Sequence, residues 1–116
     1  MLQTSLPPQA ELLAAIDIGS NSFRLEIGHM IGGRYKRVHY TKETVRLGAG
    51  LDAQGHLSTE ATQRGLACLR RFAAQLTQSG VQQVRAVATQ TLREAQNRDA
   101  FLLQAQAVLG HPIEVI

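Results

Sequence analysis

The sequence predicts an α/β protein built on a mixed five-stranded sheet with helices, and three observations carry that prediction. Short apolar or alternating runs bounded by glycine fill the first half of the chain, where seven of the ten glycines lie between Gly19 and Gly55. Apolar residues at helical spacing mark two segments of the second half. Each of those segments is followed by a short run rich in Val or Ile. The order is therefore strand, strand, strand, helix, strand, helix, strand. A hairpin makes the first part antiparallel, helical crossovers make the rest parallel, and the right-handedness of such crossovers puts both helices against the sheet.

Residues 1 to 10 carry Gln3, Gln9 and the pair Pro7 and Pro8 with no period, which reads as a flexible lead-in; the fold starts near Glu11. Leu12 to Ile18, LLAAIDI, is short, mostly apolar and stopped by Gly19, as a strand buried on both faces would be. From Ser22 to Met30, Phe23, Leu25 and Ile27 alternate with Arg24, Glu26 and Gly28, the pattern of a half-buried strand. Ile31, Gly32 and Gly33 supply a turn, the glycines free to take the positive φ that tight hairpins require, and RYKRVHY returns antiparallel from Arg34. Ser58 or Thr59 can cap a helix that has Glu60 in its first turn and Leu66, Leu69, Phe72, Ala73 and Leu76 on one face, and Gly80 ends it. VQQVRAVAT, from Val81, reads as another buried strand. A second helix begins near Asn97, with Asp99 in its first turn and Phe101, Leu102, Ala105, Val108 and Leu109 apolar. Gly110 and Pro112 stop it, and IEVI opens the last strand.

Composition narrows the function classes. A chain of 116 residues with 44% apolar content can bury a core without metals or crosslinks. One cysteine, Cys68, rules out an intrachain disulfide and a Cys-based zinc site, points to a reducing compartment, and falls near the apolar face of the long helix as a small core residue would. No apolar run approaches the roughly 18 to 20 residues of a membrane span, and no basic segment leads into an apolar one at the start, so the expected location is cytoplasmic, away from membranes. Twelve basic residues against nine acidic give +3, and ten of the twelve are arginine, whose planar fork of donors matches phosphate or carboxylate. Aromatic content of 4% with no Trp leaves little material for stacking bases, so nucleic acid is the weaker partner class. His29, His39, His56 and His111 have no metal-ligand spacing and are expected at the surface or in turns.

Three segments could carry chemistry. In IDIGSNSFRL an acidic residue ends a strand, a glycine turns the chain, and Ser20, Asn21 and Ser22 follow at once. Such a turn can aim backbone amides and these side chains into one concave spot that receives phosphate oxygens, and Asp17 beside it could hold Mg²⁺ through water. The plain alternative is a hairpin in which Asp17 and Asn21 bond only their own turn. In KETVRLGAGLDAQGHL, Lys42 and Arg46 are spaced four apart, so on extended chain both point to one face and could meet a phosphate; the alternative is a charged edge strand that discourages aggregation. In RAVATQTLREAQN a strand ends in Thr89 and Arg93 follows in a helical turn. If that strand is a parallel neighbour of the first, Thr89 and Asp17 share the crevice at the carboxyl ends of the strands. Arg93 could equally be a surface residue paired with Glu94 or Glu114.

Taken together these segments resemble the exopolyphosphatase and guanosine pentaphosphate phosphohydrolase family, within the ribonuclease-H-like superfold of actin, Hsp70 and sugar kinases. DIGSNSFRL looks like the family's first phosphate loop, and KETVRLGAGL, the LSTEATQRGLACLRRF helix, AVATQTLREAQN and PIEVI follow in the family's order, so the likeness runs from Ala14 onward. The resemblance implies Mg²⁺-dependent hydrolysis of terminal phosphoanhydride bonds in inorganic polyphosphate or in guanosine polyphosphates such as pppGpp. It places Asp17 near the metal and the attacking water, and Gly19, Ser20, Asn21 and Ser22 around the phosphate. Arg93, with Lys42, Arg46, Arg24 and Thr89, would neutralise the phosphate's charge. It also implies that the catalytic glutamate and a second, glycine-rich phosphate loop belong beyond Ile116, since Glu114 precedes the expected position inside a strand. Residues 11–116 are then expected to be an N-terminal actin-like subdomain, truncated before those elements and inactive alone, with a face left open on which a homodimer could form. The competing reading is a non-catalytic phosphate- or nucleotide-binding half-domain of an actin-like ATPase or kinase, and a basic nucleic-acid binder is a third. Adenosine-pocket helices after Ile116 would favour the ATPase, and a glutamate followed by a DxGGGS-like loop would favour the hydrolase.

Overall fold

The computed structural model describes residues 11–116, so the expected lead-in at residues 1 to 10 lies outside the described residues. The elements run β1 (Glu11–Ile18), β2 (Ser22–Ile31), β3 (Arg34–Thr44), α1 (Thr59–Ser79), β4 (Gln83–Ala88), α2 (Gln90–Glu94), α3 (Arg98–Leu109) and β5 (Ile113–Val115), with one 3₁₀ turn at Gly48–Gly50. They form one sheet in the order β3-β2-β1-β4-β5. β1, β2 and β3 are antiparallel neighbours; β1, β4 and β5 are parallel.

Local chemistry sets the boundaries. Ile31 belongs to β2 and pairs with Arg34, so the hairpin turn is only Gly32 and Gly33, with φ of 56° and 77°. Two consecutive positive φ values match the twist of the flanking strands and are open to glycine with little strain. Ser58 caps α1 by accepting from the amide of Ala61 at 3.0 Å, and Gly80, at φ 67°, closes it by donating to the carbonyls of Leu76 and Thr77. Asn97 precedes α3 without capping it through its side chain. That side chain instead brackets Leu57, accepting from its amide at 2.8 Å and donating to its carbonyl at 3.2 Å, which ties the approach to α1 onto the start of α3.

Both long helices lie on the same side of the sheet. Leu66, Leu69, Phe72 and Leu76 of α1 and Phe101, Ala105 and Leu109 of α3 join Ile16, Ile18, Phe23, Leu25 and Ile27 in one core. The expectation that β1 and the strand after α1 are buried on both faces is therefore corrected: Ala15 and Arg85 are exposed, and Leu13, Asp17 and Val87 are half-buried. The cause is the chain's direction of travel. Each crossover, β3 to β4 through α1 and β4 to β5 through α3, joins parallel strands and advances toward the same edge, and two right-handed crossovers advancing the same way must use the same face. Among the described residues nothing covers the other face. No helix among them is long and apolar enough to cross a membrane.

One ion pair fastens the edge strand to α1. Glu43 of β3 accepts from Arg71, whose Nη2 and Nε stand 2.6 and 3.0 Å from its two oxygens. Those hydrogen bonds hold the Glu43 carboxyl below its ordinary range. Cys68, fully buried beside them, has its thiol pushed up to about 12, by burial first and the Glu43 charge second, so it is a core residue and not a nucleophile at neutral pH. A carboxyl with a lowered pKa stabilises the fold above its unfolded pKa, and that contribution fades as the pH falls through the folded value. Arg71 is more than half exposed, so solvent limits the gain. Glu43→Gln is expected to lower stability at pH 7 by about 0.5–1 kcal/mol, and the gap from wild type should close in acid. Urea midpoints across an acid-to-neutral series measure this, and a constant gap would assign the loss to packing.

Candidate phosphate-binding site

The parallel pairing of β1 with β4, Asp17 opposite Val87 and Ile18 opposite Ala88, brings the carboxyl ends of these strands to one edge of the sheet. Ligands of open α/β sheets bind outside that edge. There the chain reverses through Gly19, Ser20 and Asn21. The turn is tight, with the Gly19 amide donating to the Ser22 carbonyl at 3.1 Å, and a Cβ on Gly19 would stand 2.8 Å from that same oxygen. No side chain fits there without moving backbone. The turn is also tied to its neighbours. Asn21 accepts at its carbonyl from the amides of Val45 (3.0 Å) and Arg46 (2.8 Å), and the Ser20 carbonyl accepts from Gly48 at 2.8 Å. On the other side the Thr89 amide donates to Ile18 at 3.3 Å, and the Thr91 hydroxyl donates to Ser20 Oγ at 2.7 Å.

Two side-chain oxygens at this turn are buried without a partner, Oδ1 of Asp17 and Oγ of Ser22. A buried polar atom without a partner forfeits about 1–3 kcal/mol, so two at one turn point to a ligand that would satisfy them. The other carboxylate oxygen, Asp17 Oδ2, is 3.6 Å from Nη1 of Arg24, and both side chains are somewhat under half exposed. A single carboxylate with a free oxygen suits Mg²⁺, which keeps most of its waters and takes its remaining ligands from substrate phosphates. Among the described residues no three acidic, His or Cys side chains cluster to form an all-protein metal cage.

The sequence-predicted residues fall into three groups. Asp17, Gly19, Ser20, Asn21, Ser22 and Thr89 come together at the strand ends. Arg24 and Lys42 stand opposite each other on β2 and β3, in the same cross-strand row as Asp17, and so share the open face with it. With Ala15, Glu26, Tyr40 and Arg85, Asp17 and Arg24 also line a shallow cavity of about 330 Å³ on that face. Arg46 meets the turn through its backbone amide, and Arg93 lies one helical turn past Thr89. Arg93 donates to the Ile116 carbonyl at 2.7 Å, while the Glu114 suggested as its partner is bound by Arg85 at 3.1 Å.

The shared face of Lys42 and Arg46 is a correction. β3 ends at Thr44, and Arg46 sits at φ 56°, a left-handed conformation that points it away from the strand's alternation. The backbone takes that shape because the Val45 and Arg46 amides converge on one acceptor, the Asn21 carbonyl. One contributor escaped the sequence reading, and another was read there only as a place for the chain to bend. Thr91 is 4% exposed and holds Ser20, and Gly48 lies so close to the turn that a Cβ would be 3.1 Å from the Thr91 hydroxyl. Nothing in ATQT distinguishes Thr91 from Thr89; only its burial does.

A profile of the Ppx/GppA phosphatase family matches residues 27–116. This chain belongs to that family. The PPX-GPPA enzyme of Aquifex aeolicus superposes with a TM-score of 0.87 at 30% identity, covering 92% of this chain and 36% of that one. An exopolyphosphatase from Cytophaga hutchinsonii gives 0.87 at 28% identity, covering 91% of this chain and 34% of its own. Thermus thermophilus RuvC, in complex with a Holliday junction, matches at 15% identity and a TM-score of 0.52, a likeness of fold alone, and it places the sheet in the ribonuclease-H-like class. The Ppx/GppA-family chain spans about a third of the length of the family structures it matches. Since Gly19 is the turn's tightest point, Gly19→Ala is expected to cost about 1–3 kcal/mol, read as a lower urea midpoint with unchanged slope. An unaltered midpoint would mean that the turn is open in solution.

Proposed function

We propose that the Asp17–Ser22 turn binds the terminal phosphate of a polyphosphate chain or guanosine polyphosphate. In this reading the chain is the N-terminal wall of a cytoplasmic phosphohydrolase that cleaves the terminal phosphoanhydride bond. The observation that carries it is the pair of buried, unpartnered oxygens on Asp17 and Ser22 in a turn with no room for a side chain at Gly19. Family membership supports the reaction class, but the profile match begins at Ile27, so the turn's part in it rests on its own geometry.

Phosphoryl transfer asks little covalent chemistry of a protein; positioning and charge neutralisation do most of the work. Ser20, Asn21 and Ser22 orient the phosphate, held by the bonds from Gly48, Val45, Arg46 and Thr91. Arg24 and Lys42 offset its charge from the open face, and Arg46 and Arg93 add to that. Asp17 would hold Mg²⁺ in this site, which when bound supplies positive charge beside the transferred phosphoryl group and acidifies a water. The base that takes the proton of the attacking water, and a second phosphate loop, are assigned to the part of the longer relatives that has no counterpart here.

Two outcomes follow. The 116-residue chain should bind tripolyphosphate weakly and release no phosphate from it with Mg²⁺, because one wall exposed to water works at high dielectric. In the longer enzyme to which the proposal assigns this chain, Asp17→Asn should lower turnover about a hundredfold or more while circular dichroism and melting stay near wild type. Steady-state phosphate release measures both. Full turnover in the Asp17→Asn enzyme would remove the turn from the active site, and hydrolysis by the short chain that Asp17→Asn silences would show that the base lies within it.

A further inference from the structure

Ser20 and Ser22 stand two residues apart at the same turn, yet their hydroxyls are in different states. Among the described residues Oγ of Ser22 is buried with no partner, whereas Oγ of Ser20 is met by the Thr91 hydroxyl at 2.7 Å. Thr91 comes from α2, a helix of five residues in which Thr91 and Leu92 are the buried ones. Leu92 seats that helix in the core, and the Thr91 carbonyl accepts from the Ala95 amide at 2.8 Å, so the threonine has little freedom to move. Ser20 is held as closely through its backbone, its carbonyl accepting from Gly48 at 2.8 Å. Gly48 also leaves the space in which the two hydroxyls meet, since a Cβ there would stand 3.1 Å from Thr91 Oγ1 and 3.2 Å from Ser20 Cβ.

A hydroxyl has one hydrogen to give and two lone pairs to receive. Burial decides which of the two gives here. Thr91 is 4% exposed, and among the described residues its hydroxyl has no partner other than Ser20. Were Ser20 the donor, the Thr91 hydrogen would be shut away from any acceptor, at the full cost of desolvating it. Ser20 is half-buried, and its hydrogen can reach solvent or a ligand. The bond therefore runs from Thr91 to Ser20. One lone pair of Ser20 Oγ is taken from the protein side, and the Ser20 hydrogen is left for an acceptor beyond the turn. Hydrogen bonds in such a chain polarise one another, so accepting from Thr91 makes Ser20 a better donor. Fully ionised phosphate oxygens only accept, and a fixed donor matches them.

We propose that Thr91 is a positioning residue of the phosphate site: it fixes the Ser20 hydroxyl as a hydrogen-bond donor to the bound phosphate, an inference that rests on the phosphate reading of the Asp17–Ser22 turn. Thr91 itself does not touch the ligand. Its effect passes through Ser20 alone, and Ser22, whose hydroxyl has no such neighbour, is independent of it. The same bond ties the turn after β1 to the helix after β4, so it also holds together the two strand ends that form the site.

The test is NMR titration of the full 116-residue chain with tripolyphosphate at low salt, for wild type, Thr91→Val and Thr91→Ser. Valine removes the donor and keeps the branched shape; serine keeps the donor and removes a methyl group. Thr91→Val should weaken binding about three- to tenfold, the worth of one hydrogen bond. Thr91→Ser, which opens a methyl-sized gap in the core, should lower the urea midpoint yet bind as wild type. A double-mutant cycle assigns the route. In a Ser20→Ala background Thr91→Val should cause no further loss, and in a Ser22→Ala background its loss should persist in full. The proposal is overturned if the Thr91→Val loss survives in the Ser20→Ala background, if Thr91→Val binds as wild type while Ser20→Ala does not, or if affinity follows the urea midpoint through both Thr91 variants. Failure of the turn reading shows separately, as tripolyphosphate binding indifferent to Ser20→Ala and Ser22→Ala alike.

Discussion

The carbonyl of Asn21 accepts two backbone amides, from Val45 and Arg46, and the rest of the site follows from that shared acceptor. To deliver both donors the chain must leave β3 at Thr44 and twist Arg46 to φ 56°, a conformation that costs a non-glycine residue about 1 kcal/mol. Two hydrogen bonds worth about 1 kcal/mol each offset it. The same twist turns Val45 and Leu47 into the core and brings Gly48 against Ser20. Arg64 of α1 then locks the loop from outside, donating to the carbonyls of Val45 at 2.9 Å and Arg46 at 3.0 Å. The Ser58 amide bonds Gly50 at 2.8 Å, so the loop runs without slack into the capped end of α1. A turn fixed on so many sides is rigid before any ligand arrives, which is what a site that works by positioning requires.

A second constraint acts on the sheet as a whole. Because both crossovers use one face, every residue of β1 and β2 with the parity of Asp17 and Arg24 stands on the open side. The charged half of each alternating strand is thereby gathered on one surface, and the apolar half is spent on the core with α1 and α3. Arg24, Lys42 and Arg37 of the hairpin are continuous with the site edge because they belong to that one surface. Handedness, a property of the backbone, decides which side chains can meet a ligand.

What the sequence discloses and what it hides divide along the range of the interactions involved. Ser58, Gly80 and the Gly32–Gly33 turn were legible because caps and tight turns depend on residues within one helical turn or hairpin of each other. The place of β4 beside β1 stayed a condition until the pairing was seen, whereas the element order and the mix of antiparallel hairpin and parallel crossovers were legible. Arg46 was not, since its left-handed backbone answers to an acceptor on Asn21, and Lys42 and Arg46 look like an ordinary extended pair until that bond is known. The extra residue at Val38 was hidden likewise, because a bulge is set by the partner strand. Thr91 carries no local mark; it matters because it is buried against Ser20, seventy-one residues earlier in the chain. Burial of β1 on both faces was overestimated because LLAAIDI is apolar enough for either case, and Ala15 and Leu13 tolerate exposure without announcing it.

Asp17 is the residue whose place most needs a physical reason. A carboxylate at an anion site repels the ligand, and in a partly dehydrated turn that repulsion is stronger than in water. Arg24 answers only part of it, since at 3.6 Å and with both partners partly solvated it engages one oxygen and leaves Oδ1 buried and unpartnered. For phosphate to approach, positive charge must stand between it and Asp17, and Oδ1 is where such a charge has a ligand waiting. An ordinary hairpin has no need of this arrangement, because replacing Asp17 with asparagine would keep the turn and remove the repulsion. In the proposed hydrolase the same carboxylate is what separates a site that merely holds phosphate from one that also orders a cation and a water beside it.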